Sequence, residues 1–357
     1  MESGALKPSR LLVVKMSSIG DIAHALPVVS QIKRALPNLF IGWVVKRRCA
    51  SLLEGNPDID KLYVTSDKPG ASELLGLRKQ MRADRYDTAI DMQGLLLSGV
   101  VTWLSGAKRR VGLDRNREGN FFFLTEHTVP GKDPDRHAID ILSGFAHSLG
   151  VDYPEGSVPV QSYLATSDSA FAHEHINALH KPIIALNAGA STIYKQWPAD
   201  HWAELGKAIV AGGASVVLLG GPRDVETVDQ ISGIIASHQC VNLAGKTNLR
   251  QLASVVACCD LMVSGDTGPI HIAVDVGTPC VGLYGPTNPR AYGPYGNRNV
   301  VIWKGLPCSP CHRNPTCNGR VDCMKRISAT DVLKAIEKLI PGTLGDGPRD
   351  AQSVNAS

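Results

Sequence analysis

The chain has 357 residues, 43% of them hydrophobic and 20% charged, with a formal net charge of +4. That is long for one core and makes two globular domains the natural reading, and it excludes a disordered or fibrous chain. The mild positive charge does not demand nucleic acid; it suits an anionic small molecule or an anionic membrane surface. No apolar run reaches the ~18 residues of a spanning helix.

The opening MESGALKPSR lacks the apolar core of a signal peptide, so a cytoplasmic location is expected. Leu11 to Val14 reads as a first strand, followed by Lys15-Met16-Ser17-Ser18-Ile19-Gly20-Asp21. From Ile22 the apolar positions Ile22, Leu26, Val29, Ile32 and Leu36 make a helical stripe, with Pro27 predicting a kink. Asp21 therefore stands at a helix N-terminus, just past the carboxyl end of a strand. Capping is the usual task of Asp there. Ser17 and Ser18 can cap as well, however, and catalytic residues gather at such strand ends. A carboxylate kept ionised by the helix dipole is available as a base.

Further strands are expected at Leu39 to Val45, Lys61 to Val64, Thr88 to Met92 and Arg109 to Leu113. Helices fall between them at Glu73 to Arg85 and Leu95 to Leu104, and His137 to Leu149 closes this half. The polar loop 114–120 carries Arg115 and Arg117. With Arg47, Arg48 and Arg110 these form either one patch for an acidic ligand or a solvated face.

A Pro- and Gly-containing stretch up to Lys181, with one helix at Ser167 to Leu179, reads as the connection between halves. A second alternation begins with the strand Ile183 to Asn187, then Ala188-Gly189-Ala190-Ser191 and Lys195-Gln196-Trp197-Pro198. The helix Ala199 to Ala211 and the strand Ser215 to Leu219 lead to Gly220-Gly221-Pro222-Arg223-Asp224-Val225-Glu226 and another helix. The strand Leu261 to Val263 leads to Gly265-Asp266-Thr267-Gly268, with Pro269 at the first position of a helix ending before Gly277. Cys280 to Tyr284 is the next strand. Each small-residue loop follows a strand and precedes a helix. In an open parallel sheet such loops share the ligand edge, so Lys195, Glu226, Asp266 and Thr267 converge there. Free amides at a helix start are aimed at an anion. His271 and Asp275, four apart on the buried helix, read as a structural pair.

Five of the nine cysteines lie in apolar settings, while Cys308, Cys311, Cys317 and Cys323 cluster after a last strand, Asn299 to Trp303. The cluster is either a four-thiolate metal site, holding Zn or Fe, or a group of reduced thiols away from the ligand edge. Ser328-x-x-Asp331 is a capping box for a helix at Val332 to Leu339, and 342–357 reads as a disordered tail. Gly245-Lys246-Thr247 is no P-loop, because Cys240 stands where the first glycine belongs. The single Asp266-Thr267-Gly268 triplet cannot supply the two aspartates of an aspartic protease. No G-x-G-x-x-G follows the first strand.

KMSSIGD with its ALP-containing helix, YDTAIDMQGL, KQWP, GGPRDVE and GDTGPIHIA, in this order, resemble glycosyltransferase family 9, the ADP-heptose:lipopolysaccharide heptosyltransferases. WVVKRRCA, QGLLLS and RHAID are more similar to heptosyltransferase I, although Leu97 stands where that type usually carries Lys. The resemblance implies an α/β fold of two Rossmann-like domains facing a cleft, the GT-B architecture. Residues 1–155 would form the acceptor domain, 156–181 the connection and 182–341 the nucleotide-sugar domain. It implies inverting transfer without a cofactor or catalytic metal, with Asp21 as general base. Lys195 would neutralise the donor diphosphate and Glu226 would hold the ribose. Asp266 would bind heptose hydroxyls, while Thr267, Gly268 and Ser191 would meet phosphate and His271 would join the donor side. Arg117 and His137 would meet the acceptor, Kdo-lipid A, at the cytoplasmic face of the inner membrane, which the protein touches peripherally. Nucleic acid has no part in this reading. The competing readings are another family 9 or GT-B enzyme, such as a heptosyltransferase II-type transferase or a sugar-nucleotide epimerase, and a non-catalytic nucleotide- or glycan-binding protein.

Overall fold

In a computed structural model the chain is described for residues 7–114, 117–130, 133, 136–154, 166–311 and 317–342. The first half supplies β1 (Arg10–Val14), β2 (Phe40–Lys46), β3 (Lys61–Thr65), β4 (Thr88–Asp91), β5 (Arg109–Asp114) and β6 (Glu126–Pro130). They pair in parallel in the order β3-β2-β1-β4-β5-β6. The second half supplies β7 (Ile183–Asn187), β8 (Ser215–Leu219), β9 (Cys240–Asn242), β10 (Leu261–Gly265), β11 (Cys280–Tyr284) and β12 (Val300–Trp303). Their order is β12-β11-β10-β7-β8-β9, again parallel. The central strands are apolar runs buried on both faces, as a sheet covered by helices on each side requires.

Each sheet reverses its winding once, between β1 and β4 in the first and between β7 and β10 in the second. The crevice beyond the carboxyl ends at such a switch point is where open α/β sheets hold ligands. At the first switch point Val14 lies beside Asp91, and at the second Asn187 lies beside Ser264.

The helix after β1, Ile19–Ala35, begins a turn earlier than its apolar stripe suggested, because Ser18 is the N-cap and Ile19, Gly20 and Asp21 form the first turn. It runs on through Pro27. The helix after β10, Gly268–Asp275, has Thr267 as N-cap, which puts Pro269 at the second helical position rather than the first. These two helices pack against each other, and Ile22, Leu26, Ile270 and Ile272 belong to one continuous apolar cluster joining the two halves. Burying one such side chain contributes roughly 1.5–3 kcal/mol, so the seam is part of the core. The edge strands β6 and β9 were not expected. Arg115 and the tail 343–357 lie outside the described residues.

Candidate active site

The strand end after β1 carries the first part of the site. Lys15 is 5% exposed, and its ammonium donates to the carbonyl of Met92 at 2.9 Å and to Oδ1 of Asp21 at 3.4 Å. The side-chain oxygen of Gln93 accepts from the amides of Met16 and Ser17, both at 3.1 Å, so the loops after β1 and β4 are stitched together. Asp21 spends its other oxygen on Ser18, accepting from the amide at 3.0 Å and the hydroxyl at 2.6 Å. It does the work of a capping-box residue with one oxygen and meets a buried cation with the other. Loss of water in the cleft pushes the Asp21 carboxyl up. The Lys15 charge and the Ser18 hydrogen bonds outweigh that and hold it below its ordinary value. Asp21 is thus ionised at neutral pH while its side chain stays 49% exposed.

Lys15 and Asp21 open into a pocket that both halves line: His24, Met92, Leu113 and Arg136 from the first, Ala291 and Tyr292 from the second. Arg136, within the RHAID segment, was missed as a site candidate. It also donates to the carbonyl of Asp140 at 3.1 Å. Arg117 is exposed on the loop after β5 and does not line this pocket.

The second part of the site lies beyond β7 and β10. Asp266 is 7% exposed, and its carboxylate pairs closely with the ammonium of Lys195, which also reaches the Asp266 carbonyl at 3.4 Å. Lys195 and Asp266 are brought together as expected, but as partners of each other. Donor binding therefore has to share or open this pair. Asn187, at the end of β7, donates to the hydroxyls of Ser264 at 2.9 Å and Thr267 at 3.1 Å and so fixes the turn that starts the helix. Neither Asn187 nor Ser264 stood out in the sequence; a polar pair at two adjoining strand ends was the available signal. Gly268 opens the helix with its first-turn amides on the same edge. Ser191 and Glu226 are exposed on the loop after β7 and in the first turn of the helix Val225–Ile235.

Between the two parts lies a buried seam. His24 Nε2 and His271 Nδ1 are 3.1 Å apart, one ring donating to the other, and the rings of His24 and His137 meet edge to face. His271 does not pair with Asp275, as its spacing suggested, because the helix turns it across the seam. Burial pushes the His271 imidazole down to about 4, although the charges of Asp266 and Asp21 reach it and oppose the shift. Burial likewise lowers His24 and His137. Asp275 is left buried, and burial pushes its carboxyl well above the usual range.

His137 is also placed differently from expectation. Its Nδ1 accepts from the amide of Ile139 at 3.1 Å as the helix cap, and its Nε2 donates to the carbonyl of Gly293 at 2.9 Å. Both nitrogens are taken, and His137 joins the halves rather than facing the pocket. Glycines stand where the two helix starts meet. A Cβ on Gly20 would stand 3.0 Å from the His271 ring, and one on Gly268 would stand 2.6 Å from Ile19.

The cysteines differ from expectation in position. Cys323 Sγ is wedged against Gly285, just beyond the carboxyl end of β11, which puts the cluster on the flank of the ligand edge and not away from it. Burial, and then the charges of Cys311, Cys308 and Cys317, push its thiol up. Among the described residues no group of three or more His, Cys, Asp or Glu is placed to hold a metal ion.

A model of glycosyltransferase family 9 (heptosyltransferase) matches residues 74–321. The chain belongs to this family. The lipopolysaccharide core heptosyltransferase OpsX of Haemophilus influenzae is 30% identical to this family 9 enzyme over 300 residues, covering 83% of this chain and 84% of the relative. The lipopolysaccharide heptosyltransferase 1 of Escherichia coli K12 is 28% identical over 309 residues, 82% of this chain and 92% of the relative. Relatives of the heptosyltransferase 2 type match over comparable lengths. A family 9 glycosyltransferase structure from Veillonella parvula has a TM-score of 0.81 at 26% identity, covering 93% of this chain and 97% of that one. The two parallel sheets and their shared cleft are the GT-B architecture of this family 9 glycosyltransferase.

Proposed function

We propose that this enzyme moves heptose from ADP-L-glycero-D-manno-heptose to a Kdo residue of Kdo-lipid A, with inversion at the anomeric carbon. The observation that carries the reading is a carboxylate held ionised beside a buried ammonium, Asp21 with Lys15, in a pocket lined by both halves. Asp21 Oδ1 takes the proton from the acceptor hydroxyl as that oxygen attacks the anomeric carbon and the bond to the diphosphate breaks. The leaving ADP gathers negative charge, and Lys195 with the helix start at Gly268 is preorganised to receive it. Glu226 and Ser191 hold the nucleotide end, Asp266 the heptose hydroxyls. Lys15 and Arg136 in the pocket supply the cationic surroundings that a Kdo carboxylate or a lipid A phosphate needs, and Arg117, exposed on the loop after β5, meets a more distant acidic group of the acceptor. No divalent cation is required, because Lys195 and the helix start take its task.

The test is a transfer assay with ADP-heptose and Kdo-lipid A, following heptose on the lipid and ADP released, with and without EDTA. Heptosylation of Kdo-lipid A that survives EDTA supports the reading. Transfer only to an acceptor that already carries heptose would point to the heptosyltransferase 2 type, to which some of the relatives belong. Loss in EDTA reversed by magnesium would remove the metal-free step.

A further inference from the structure

The helix Leu96–Leu104 turns the wrong face to water. Its inward positions are Ser98, Val101, Thr102 and Leu104, all buried. Outward, at i and i+7, stand Leu96 and Trp103, at 45% and 51% exposure, with Val100 between them partly buried against the core. A surface helix normally carries polar residues on that stripe. Here it is apolar along two turns.

The neighbours extend the stripe. On one side lies the 3₁₀ turn Asn120–Phe123, so close that a Cβ on Gly99 would stand 3.0 Å from the Asn120 carbonyl. The Trp103 ring meets Phe123 at 6.4 Å, and Phe122 stands out at 82% exposure. On the other side lies the helix Ala71–Ala83, joined through Arg82 Nε donating to the Leu104 carbonyl at 3.5 Å, and on it Leu75 is 60% exposed. Exposed cations surround these side chains: Arg78, Lys79 and Arg82 on that helix, Lys108 beyond the central one and Arg117 before the 3₁₀ turn. Among the nearby acids, Asp114 is exposed at the end of β5, Glu118 accepts from the Leu96 amide at 3.5 Å, Asp84 is paired with Lys61, and Glu73 is taken by the amide and hydroxyl of Ser66. Apolar projections ringed by cations complement a lipid surface with anionic headgroups, because the side chains enter the acyl boundary while Lys and Arg stay at headgroup level.

We propose that this face, Leu75, Leu96, Trp103 and Phe122 with their ring of cations, is where the enzyme docks on an anionic membrane. The inference deepens the proposal of a lipid-borne acceptor by naming the surface. The helix Leu96–Leu104 follows β4 by a short loop whose first residue, Met92, lines the Asp21 pocket, so docking here sets that pocket beside the bilayer. No helix among the described residues is long and apolar enough to cross a membrane, and this contact is peripheral.

The experiment is sedimentation of the full chain with vesicles of phosphatidylethanolamine and phosphatidylglycerol, and separately with phosphatidylcholine vesicles, in the absence of substrates. The parent is expected to bind the anionic vesicles and to lose them with added salt. The double variant Trp103→Ser, Phe122→Ser should bind at least about tenfold more weakly, since two large side chains no longer enter the interface. Arg78→Glu with Lys79→Glu should weaken binding to the anionic vesicles alone. Ile193→Ser, which removes an exposed apolar side chain of the other half, should leave binding unchanged. Equal binding by the double variant and the parent overturns the proposal, as does no binding by the parent to anionic vesicles. A parent dimer in light scattering that Trp103→Ser dissociates also overturns it, and gives the face to a second copy. Substrates are absent throughout, so failure here leaves the transfer reaction standing, and failure of transfer leaves the docking result standing.

Discussion

Asp21 shows how one side chain can hold a structural and a chemical task together. One oxygen serves Ser18 and the helix start; the other faces Lys15 and the pocket. Asp21→Asn keeps an oxygen for Ser18 and should leave the melting temperature near that of the parent. It cannot take a proton, so kcat should fall by roughly 10²–10⁴, the usual contribution of a general base, with ADP-heptose affinity little changed. A folded variant with near-parental kcat would return Asp21 to capping alone. Lys15 makes a separate prediction. Removing its charge leaves the dehydration that raises the Asp21 carboxyl and deletes the main force that lowers it. In Lys15→Met the acid limb of the kcat–pH profile should therefore move to higher pH, while the alkaline side keeps its position. An unmoved limb, with Asp21→Asn inactive, would leave the base in place and dismiss Lys15. The places of Asp21, Lys195 and Asp266 beyond strand ends were legible in the sequence because strand, turn and helix start mark a ligand edge. Lys15 was not, since a lysine after a strand looks like a solvated cation until the register of β1 on β4 buries it under the Met92 carbonyl.

At the scale of elements, the seam between the helices Ile19–Ala35 and Gly268–Asp275 lies between the two candidate subsites. Its histidines give it a pH dependence whose sign can be worked out. His24, His137 and His271 are held neutral in the folded protein below the ordinary 6.5, His271 down to about 4. The unfolded chain takes up these protons first as pH falls. The seam's stability is therefore full above about 6.5 and is lost progressively as pH falls towards about 4. Melting temperature should drop from neutral to mildly acid pH. His24→Gln keeps a hydrogen-bonding group for His271 and cannot titrate, so it should flatten that drop; parallel curves for variant and parent would place the titration elsewhere. Most strands were legible as short apolar runs between turn residues, and their parallel pairing follows from the alternation with helices. β6, EHTVP, and β9, CVN, were not, because neither carries an apolar run. The His24–His271 contact was illegible for a different reason: the two residues are 247 positions apart, and nothing local to either announces the other.

For the whole molecule, the proposal divides labour between halves, and the division can be measured. Lys195→Ala should weaken the ADP-heptose complex, whereas Arg117→Ala should raise the acceptor KM and leave donor affinity alone. Calorimetry with ADP and steady-state kinetics with the lipid acceptor give the two readouts. Equal loss of ADP affinity in both variants would end the division. The GT-B architecture followed from the repeated alternation and the ordered motifs. The docking face did not, because nothing in a short apolar helix tells which of its side chains the neighbouring elements leave uncovered.

Gly20 and Gly268 have no side chains where the two halves touch, and each lies against a residue of the other half. The halves are thus not interchangeable modules. A recombinant that joins the first half of one family member to the second half of another inherits two surfaces shaped for absent partners, however well each half folds alone. Acceptor and donor preferences can then be recombined only when 19–20 and 268–271 come from the same parent. Hybrids split at the interdomain connection should recover activity when that short contact set is restored to a matched pair. Hybrids equally active with matched and mismatched sets would show that the halves are modules after all.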